Sequence, residues 1–451
     1  NQYGDSETSH GITFDASVIY VTVAVTSDAY GNLTATASYG NEAPKFENSY
    51  LANPVEATIQ ASKDLINKDL QAGQFHFELK GHLDAATGKD VIVSNDADGK
   101  ISFTINYTAA GTYTYTLREL IPDSENREEN TDYDDSVYEV EVVVIDNGEG
   151  QLVVDSISYG GEKEQPVFTN TYYASVVLKA KKILQGRRLR EGEFKFSLTP
   201  WNVATGNSIN ALNGTSAVSV VANDAEGLVS FPKITFDKAG DYYYIIEELP
   251  GNVGGVVYDK NAIIVKVGVA YNDASGQLEA TIKGYHRTVL GENGLPDEAL
   301  SDNDFIPTGD ELPTFTNRYT AAPNVAIIEA RKVLAGKDLA ADQFSFELLD
   351  GNGKLIETVK NKTDGHINFA EITYYSAGEY NYTIREVKGS AAGITYDETE
   401  HKVTVMVTDD GRGQLHAEVI YKDNKTPTFT NTYKAAATSA TVTAHKTLTG
   451  K

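Results

Sequence analysis

The pentapeptide FTNTY occurs at 168–172 and again at 429–433, with FTNRY at 315–319 and FENSY at 46–50. Their asparagines, Asn48, Asn170, Asn317 and Asn431, lie 122, 147 and 114 residues apart. Three further markers recur in a constant order. A lysine sits in ASKDL, KKIL, RKVL and HKTL, as Lys63, Lys182, Lys332 and Lys446. A Phe-x-Phe segment follows, in QFHFEL, EFKFSL and QFSFEL. A tyrosine-rich segment comes next, AGTYTYTLRE, AGDYYYIIEE and AGEYNYTIRE, closing on Glu119, Glu248 and Glu386. Self-similarity on this scale marks tandem domains. The chain therefore folds one design several times and does not build a single large core.

Aligning the markers gives three complete copies, 54–173, 174–320 and 321–434. Residues 1–51 match only the second half of a copy, since GITFD at 11–15 parallels GITYD at 393–397. Residues 435–451 match only a first strand, and the chain is expected to be a piece of a longer array. Within each copy, short alternating segments are punctuated by turns such as DADG at 96–99, DAEG at 224–227 and TDG at 363–365. The pattern predicts an all-β chain, one antiparallel sandwich per copy, in an elongated array, without long helices.

Period 2 also assigns faces. In YNYTIRE, 380–386, Tyr380, Tyr382 and Ile384 share one face, and the next residue on it is Glu386. Lys63 lines up with Ile59, Ala61 and Leu65; Lys182 with Leu178, Ala180 and Leu184; Lys332 with Ile328, Ala330 and Leu334. Each asparagine is flanked on its own face by aromatics, as Asn170 is by Phe168 and Tyr172. Every complete copy thus sends one lysine, one glutamate and one asparagine inward.

Burying an isolated charge is expensive. One reading is a buried Lys–Glu ion pair with the asparagine bonded nearby, a device often neutral for stability. The other is a reaction. A lysine in apolar surroundings loses basicity and becomes a neutral nucleophile, while a glutamate there tends to hold its proton. The amine attacks the asparagine carboxamide, the glutamate bonds the amide oxygen and carries the proton to departing ammonia, and an isopeptide bond remains. Recurrence in three diverged copies favours the second reading.

These motifs resemble the isopeptide-linkage repeats of Gram-positive surface proteins, the domains of streptococcal T-antigen-type major pilins and related adhesin stalks. The resemblance runs through the lysine strand, the Y-x-Y-x-I/L-x-E strand and the F-T-N-x-Y strand, over nearly the whole chain. It implies an immunoglobulin-like sandwich whose first and last strands are joined by a Lys–Asn bond that the glutamate catalyses. By position these are Lys63, Glu119 and Asn170; Lys182, Glu248 and Asn317; Lys332, Glu386 and Asn431. Asn48 has no lysine and glutamate of its own, and Lys446 no glutamate and asparagine, so both are expected to stay unpaired in this chain. No pilin-type polymerisation motif is seen, which favours a non-polymerising stalk over a backbone pilin.

The expected function is then a structural stalk segment of an extracellular, wall-anchored adhesin or pilus protein, anchored through regions outside this chain. No turnover enzyme is expected, because each copy reacts once on itself. The alternative is a ligand-binding adhesin module using two insertions of the second complete copy, 201–216 (with the only Trp) and the acidic 291–312. Tolerated surface insertions are the preferred reading of both. The expected partners are neighbouring repeats, with any host surface or matrix ligand engaged through other regions.

Composition removes other classes. With no cysteine there are no disulfides, thiolate metal sites or cysteine nucleophiles. A net charge of −26 repels nucleic acid and anionic lipid. No apolar run is long enough to cross a bilayer. The eight histidines lack ligand spacing, His76 and His82 included, and no acidic turn fits an EF-hand, so neither cofactor nor metal is expected.

Overall fold

The computed structural model describes residues 8–39, 42–83, 89–200, 219–291, 300–307, 309 and 311–449. Among these the fold is all-β, with 3-10 turns at Asp302–Asp304 and Lys422–Asn424 as its only helical elements. No helix among the described residues is long and apolar enough to cross a membrane.

Three times, a four-stranded sheet faces a five-stranded one. In the first sandwich the four-stranded sheet runs Thr131–Asp132, Val167–Tyr172, Val55–Ile66, Lys100–Tyr107. Its partner runs Leu152–Tyr159, Val137–Asp146, Gly111–Glu119, His76–Leu83, Asp90–Ser94. The second and third sandwiches repeat this order, with the start of the lysine strand split off as Ala174–Val176 and Asn324–Ala326. The cores form because alternate residues point inward. In Glu329–Ala335 every second side chain is buried, beginning with Ala330. Each core carries equivalent phenylalanines: Phe77 on Phe168, Phe196 on Phe315 and Phe346 on Phe429, each with centroids 5.2 Å apart.

One strand departs from alternation. Ala262–Asn272 is buried at eight successive positions, Ala262 to Val269, because its sheet is covered on both faces. The outer cover comes from the insertion: Phe305 packs with Ile245, Ala262 and Ile264. Lys266, on the same strand, reaches Asp302 at 2.5 Å and Asp241 at 3.0 Å. The described part of the 291–312 insertion is therefore a second packing layer and more than a tolerated surface loop. The 201–216 insertion lies outside the described residues.

Candidate functional site

Each lysine is held first through its backbone. Gly99, Gly227 and Gly365, in the turns beside the lysine strands, have φ of 82, 86 and 84°. Their carbonyls accept the backbone N–H of Lys63, Lys182 and Lys332 at 2.7, 2.6 and 2.7 Å. A Cβ there would fall 2.2, 2.1 and 2.4 Å from the lysine carbonyl oxygen, so only glycine fits.

The lysine and asparagine strands are neighbours and run parallel. Lys63 is level with Phe168 and Leu65 with Asn170. The same register places Lys182 by Phe315 and Leu184 by Asn317, then Lys332 by Phe429 and Leu334 by Asn431. An offset of two residues keeps lysine and asparagine on one face. The glutamate arrives from the opposite sheet, with Glu119, Glu248 and Glu386 level with Phe77, Phe196 and Phe346.

One carboxyl group joins the other two side chains. Lys63 Nζ donates to Glu119 Oε2 at 2.7 Å, and Asn170 Nδ2 donates to Glu119 Oε1 at 2.7 Å. Lys182 and Asn317 meet Glu248 at 2.7 and 2.6 Å. Lys332 and Asn431 meet Glu386 at 2.5 and 2.6 Å. The lysine and glutamate side chains are at most 1% exposed in all three sites. Beneath each Nζ lies the first ring of the Phe-x-Phe segment: Phe75 at 4.7 Å, Phe194 at 4.6 Å and Phe344 at 4.6 Å. Buried Asn95, Asn223 and Asn361 hold those phenylalanines in place, each accepting the phenylalanine's backbone N–H at 2.8–2.9 Å.

The amide oxygen is engaged differently from the expectation. It does not face the glutamate. Asn170, Asn317 and Asn431 accept the backbone N–H of Asp134, Asp259 and Asp397 at 2.8, 2.7 and 2.7 Å. A backbone N–H only donates, so it claims the oxygen and turns the amide nitrogen to the carboxyl group. Each aspartate also ties the clamp to the asparagine strand. Its side chain accepts the N–H of Thr169, Thr316 or Thr430 at 2.8 Å.

Electrostatics lean toward neutral partners. Burial pushes Lys63, Lys182 and Lys332 below the usual lysine range, against the opposing pull of their glutamates. Burial likewise raises Glu119, Glu248 and Glu386, although bonds from lysine and asparagine oppose it. Desolvation is the larger effect on both sides, which favours a neutral amine beside a protonated acid. Burial also acts to raise Asp134, Asp259 and Asp397, but the hydrogen bonds they accept outweigh it and keep them below the usual carboxylate range.

The structure thus brings together all nine side chains named for the complete copies. Asn48 has the clamp alone: its oxygen accepts the Asp15 N–H at 2.9 Å, and Asp15 accepts the Glu47 N–H at 2.9 Å. Lys446 is exposed, in a stretch without strands, and joins no trio. The aspartate was missed in the sequence, although a signal is present. Tyr-Asp or Phe-Asp recurs at 133–134, 258–259, 396–397 and 14–15, each time ahead of the asparagine strand. Among the described residues, no group of three or more His, Asp or Glu is placed to hold a metal.

The chain matches one protein family, described as the Spy0128-like isopeptide containing domain, over residues 2–51, 59–173, 178–320 and 328–434. Among solved structures it is similar to the T-13 major pilin of Streptococcus pyogenes, at 16% identity over 58% of this chain and 99% of that one, with a TM-score of 0.24. The Bacillus anthracis TIE protein is 11% identical over 94% of this chain and 58% of its own, with a TM-score of 0.21. The pilus adhesin SpaC of Lactobacillus rhamnosus GG, in its open conformation, is 13% identical over 91% of this chain and 46% of its own, with a TM-score of 0.19. At such TM-scores the superpositions add no weight to the family match. No curated protein matches the chain.

Proposed function

The chain belongs to the family of Spy0128-like isopeptide-containing domains, and on that premise we propose that it is a stalk segment of a Gram-positive surface adhesin or pilus whose complete repeats, 54–173, 174–320 and 321–434, each close a Lys–Asn bond on themselves. One observation carries the proposal: a single buried carboxyl group bonds lysine Nζ through one oxygen and asparagine Nδ2 through the other, three times over.

The arrangement suits the chemistry. The neutral amine attacks the asparagine Cγ, and charge develops on Oδ1. There the aspartate N–H stands ready to stabilise it, as a preorganised donor does in an oxyanion hole. The glutamate takes a proton from Nζ at one oxygen and delivers a proton to Nδ2 from the other. The C–Nδ2 bond breaks and ammonia leaves. The Cγ–Nζ bond remains, and the carboxyl group is restored. Nothing is turned over, because the product is the domain itself.

Intact mass tests the proposal. The protein is expected to weigh less than its encoded mass by three molecules of ammonia, with no fourth lost and no peptide joining Lys446 to Asn48. The encoded mass, unreduced, would sink it. A second measurement tests the clamp. Asp259→Ala retains the backbone N–H but leaves no side-chain oxygen to accept from Thr316, so the donor is held less firmly. Linkage of the second repeat is expected to slow by on the order of 10–100-fold, since small misplacements are costly. Mass followed over time after cell-free synthesis reads this directly, with the other two repeats as internal controls. Equal rates for all three would remove the aspartate from the mechanism.

A further inference from the structure

Successive repeats meet through a hairpin, and the hairpin is used in two ways. In the first sandwich it is DNGEGQL, 146–152, and in the third DDGRGQL, 409–415. Both grip the end of the unit before them. Tyr50 and Tyr319, the last residues of their FENSY and FTNRY segments, donate through their hydroxyls to Asp146 at 2.7 Å and to Asp409 at 2.6 Å. The linker residue then pairs with the hairpin backbone. Asn53 bonds Gly150 at 2.8 Å and Leu152 at 3.0 Å; Ala322 bonds Gly413 at 2.8 Å and Leu415 at 3.2 Å. Two glycines pass face to face: a Cβ on Gly11 would lie 2.7 Å from Gly150 Cα, and one on Gly255 2.8 Å from Gly413 Cα.

The junction between the first and second sandwiches keeps the tyrosine, as Tyr172, and differs at the other points. Asn130 stands where Gly11 and Gly255 stand, in the same left-handed conformation (φ 59° against 77 and 75°). Its side chain is engaged, donating to Ser175 Oγ at 3.2 Å and accepting from Lys233 at 2.7 Å. The facing hairpin is NDASGQL, 272–278, which has Asn272 where the other two have aspartate. It docks elsewhere, on Asn67 and Asp69, through Leu278 N–H to Asn67 and Asp69 N–H to Gly276, at 2.8 and 2.7 Å. Receiving end and arriving hairpin therefore change together. Glycine meets a D-x-G-x-G hairpin, while asparagine meets one beginning in asparagine, the tyrosine being common to both.

The end of the third sandwich has the glycine form. Gly393 has φ 76° and accepts the Lys434 N–H at 2.8 Å, as Gly11 does from Leu51 at 3.0 Å and Gly255 from Thr320 at 2.9 Å. Tyr433 stands where Tyr50 and Tyr319 stand. Its ring lies under Lys337 Nζ at 5.1 Å, as that of Tyr319 lies under the Arg187 guanidinium at 4.7 Å. The aspartate that holds the Tyr319 hydroxyl has no counterpart at Tyr433 among the described residues. We propose that the surface formed by Gly393, Tyr433 and Lys434 is a docking socket for the D-x-G-x-G-Q-L hairpin of another repeat of this kind.

Because the chain lacks cysteine, engineered cysteines can carry spin labels at chosen sites alone. The probe is the chain with residues 435–451 replaced by a second copy of its own residues 321–434, so that Ala321 of the copy follows Lys434 as Ala321 follows Thr320 at the existing junction, which brings hairpin 409–415 to the socket. Labels on Ser376 and on the appended counterpart of Lys354 report the new junction. Labels on Lys238 and Lys354, the corresponding exposed positions across the existing one, give the reference. The new pair is expected to show a narrow distance distribution matching the reference, and Gly393→Asn is expected to broaden and displace it. Asn130 shows that asparagine accepts this backbone conformation, so the substitution should spare the fold. A broad distribution in the unsubstituted extension would overturn the proposal, as would one that Gly393→Asn leaves unchanged.

Discussion

The protein carrying Glu119→Ala, Glu248→Ala and Glu386→Ala together is expected to weigh what its sequence encodes, with all three ammonia molecules retained. In each site the carboxyl group is the one that bonds both the attacking and the departing nitrogen. Alanine removes the acceptor for the Nζ proton and the donor to Nδ2 at once. General acid–base assistance is worth about 10²–10⁴-fold in rate, enough to stop the reaction over the life of a preparation. Leaving the buried amine and amide without their hydrogen-bond partner also destabilises, by about 1–3 kcal/mol for each group. The mass is therefore to be read on protein whose amide exchange shows an intact core. Each single substitution should retain one ammonia and leave the other two repeats linked. A folded triple variant that still loses three would show that the glutamates do not carry the protons.

Under tension the linked protein is expected to give no long extension steps, because a Lys63–Asn170 bond lets force bypass the chain between them. The comparison is a Lys63→Met, Glu119→Gln double variant, which replaces both ionisable groups with groups of similar size that cannot ionise and so leaves no unpaired buried charge. It should show one added step. The roughly 100 residues between Lys63 and Asn170 extend by about 3.3–3.6 Å each, or roughly 350 Å. The same variant should lose up to about 4.7 kcal/mol of stability in the first repeat, the chain-entropy value for a closed loop of about 100 residues. Single-molecule pulling reads the step and calorimetry the stability. Long steps in the unsubstituted protein would exclude a covalent bypass.

The three trios were legible in the sequence because alternation is strict wherever one face is core. A charged residue falling in the register of Ile59, Ala61 and Leu65 has few places to go but inward. The glycine turns at Gly99, Gly227 and Gly365 could also be read, although not that they press on the lysine carbonyls. The amide clamp was hidden for a physical reason. Its chemistry belongs to a backbone N–H, which any residue but proline supplies, so only the aspartate that positions it leaves a mark. Orienting the amide by the glutamate alone gave the wrong end for that reason. The second sandwich conceals its outer layer in a different way. AIIVKVGV, 262–269, does not alternate, and that is the signature of a strand covered on both faces. The cover, around Phe305, comes from the acidic insertion, where composition alone suggested solvent.

The glutamate and the two groups it serves stand on opposite sheets, and this gives the proposed bond a logical character. While one sheet has formed without the other, lysine and asparagine are neighbours in it, but no acid is beside them. While the chain is unfolded, the lysine is solvated, charged and unreactive. Only closure of the sandwich assembles all three groups and dries them, so covalent closure would register that folding had been completed. The record is permanent, since ammonia diffuses away. A repeat that later opens would keep its first and last strands tethered in register and would have a short search back to the native pairing. Each linked repeat would thus act as a one-way ratchet, set once, by the fold itself.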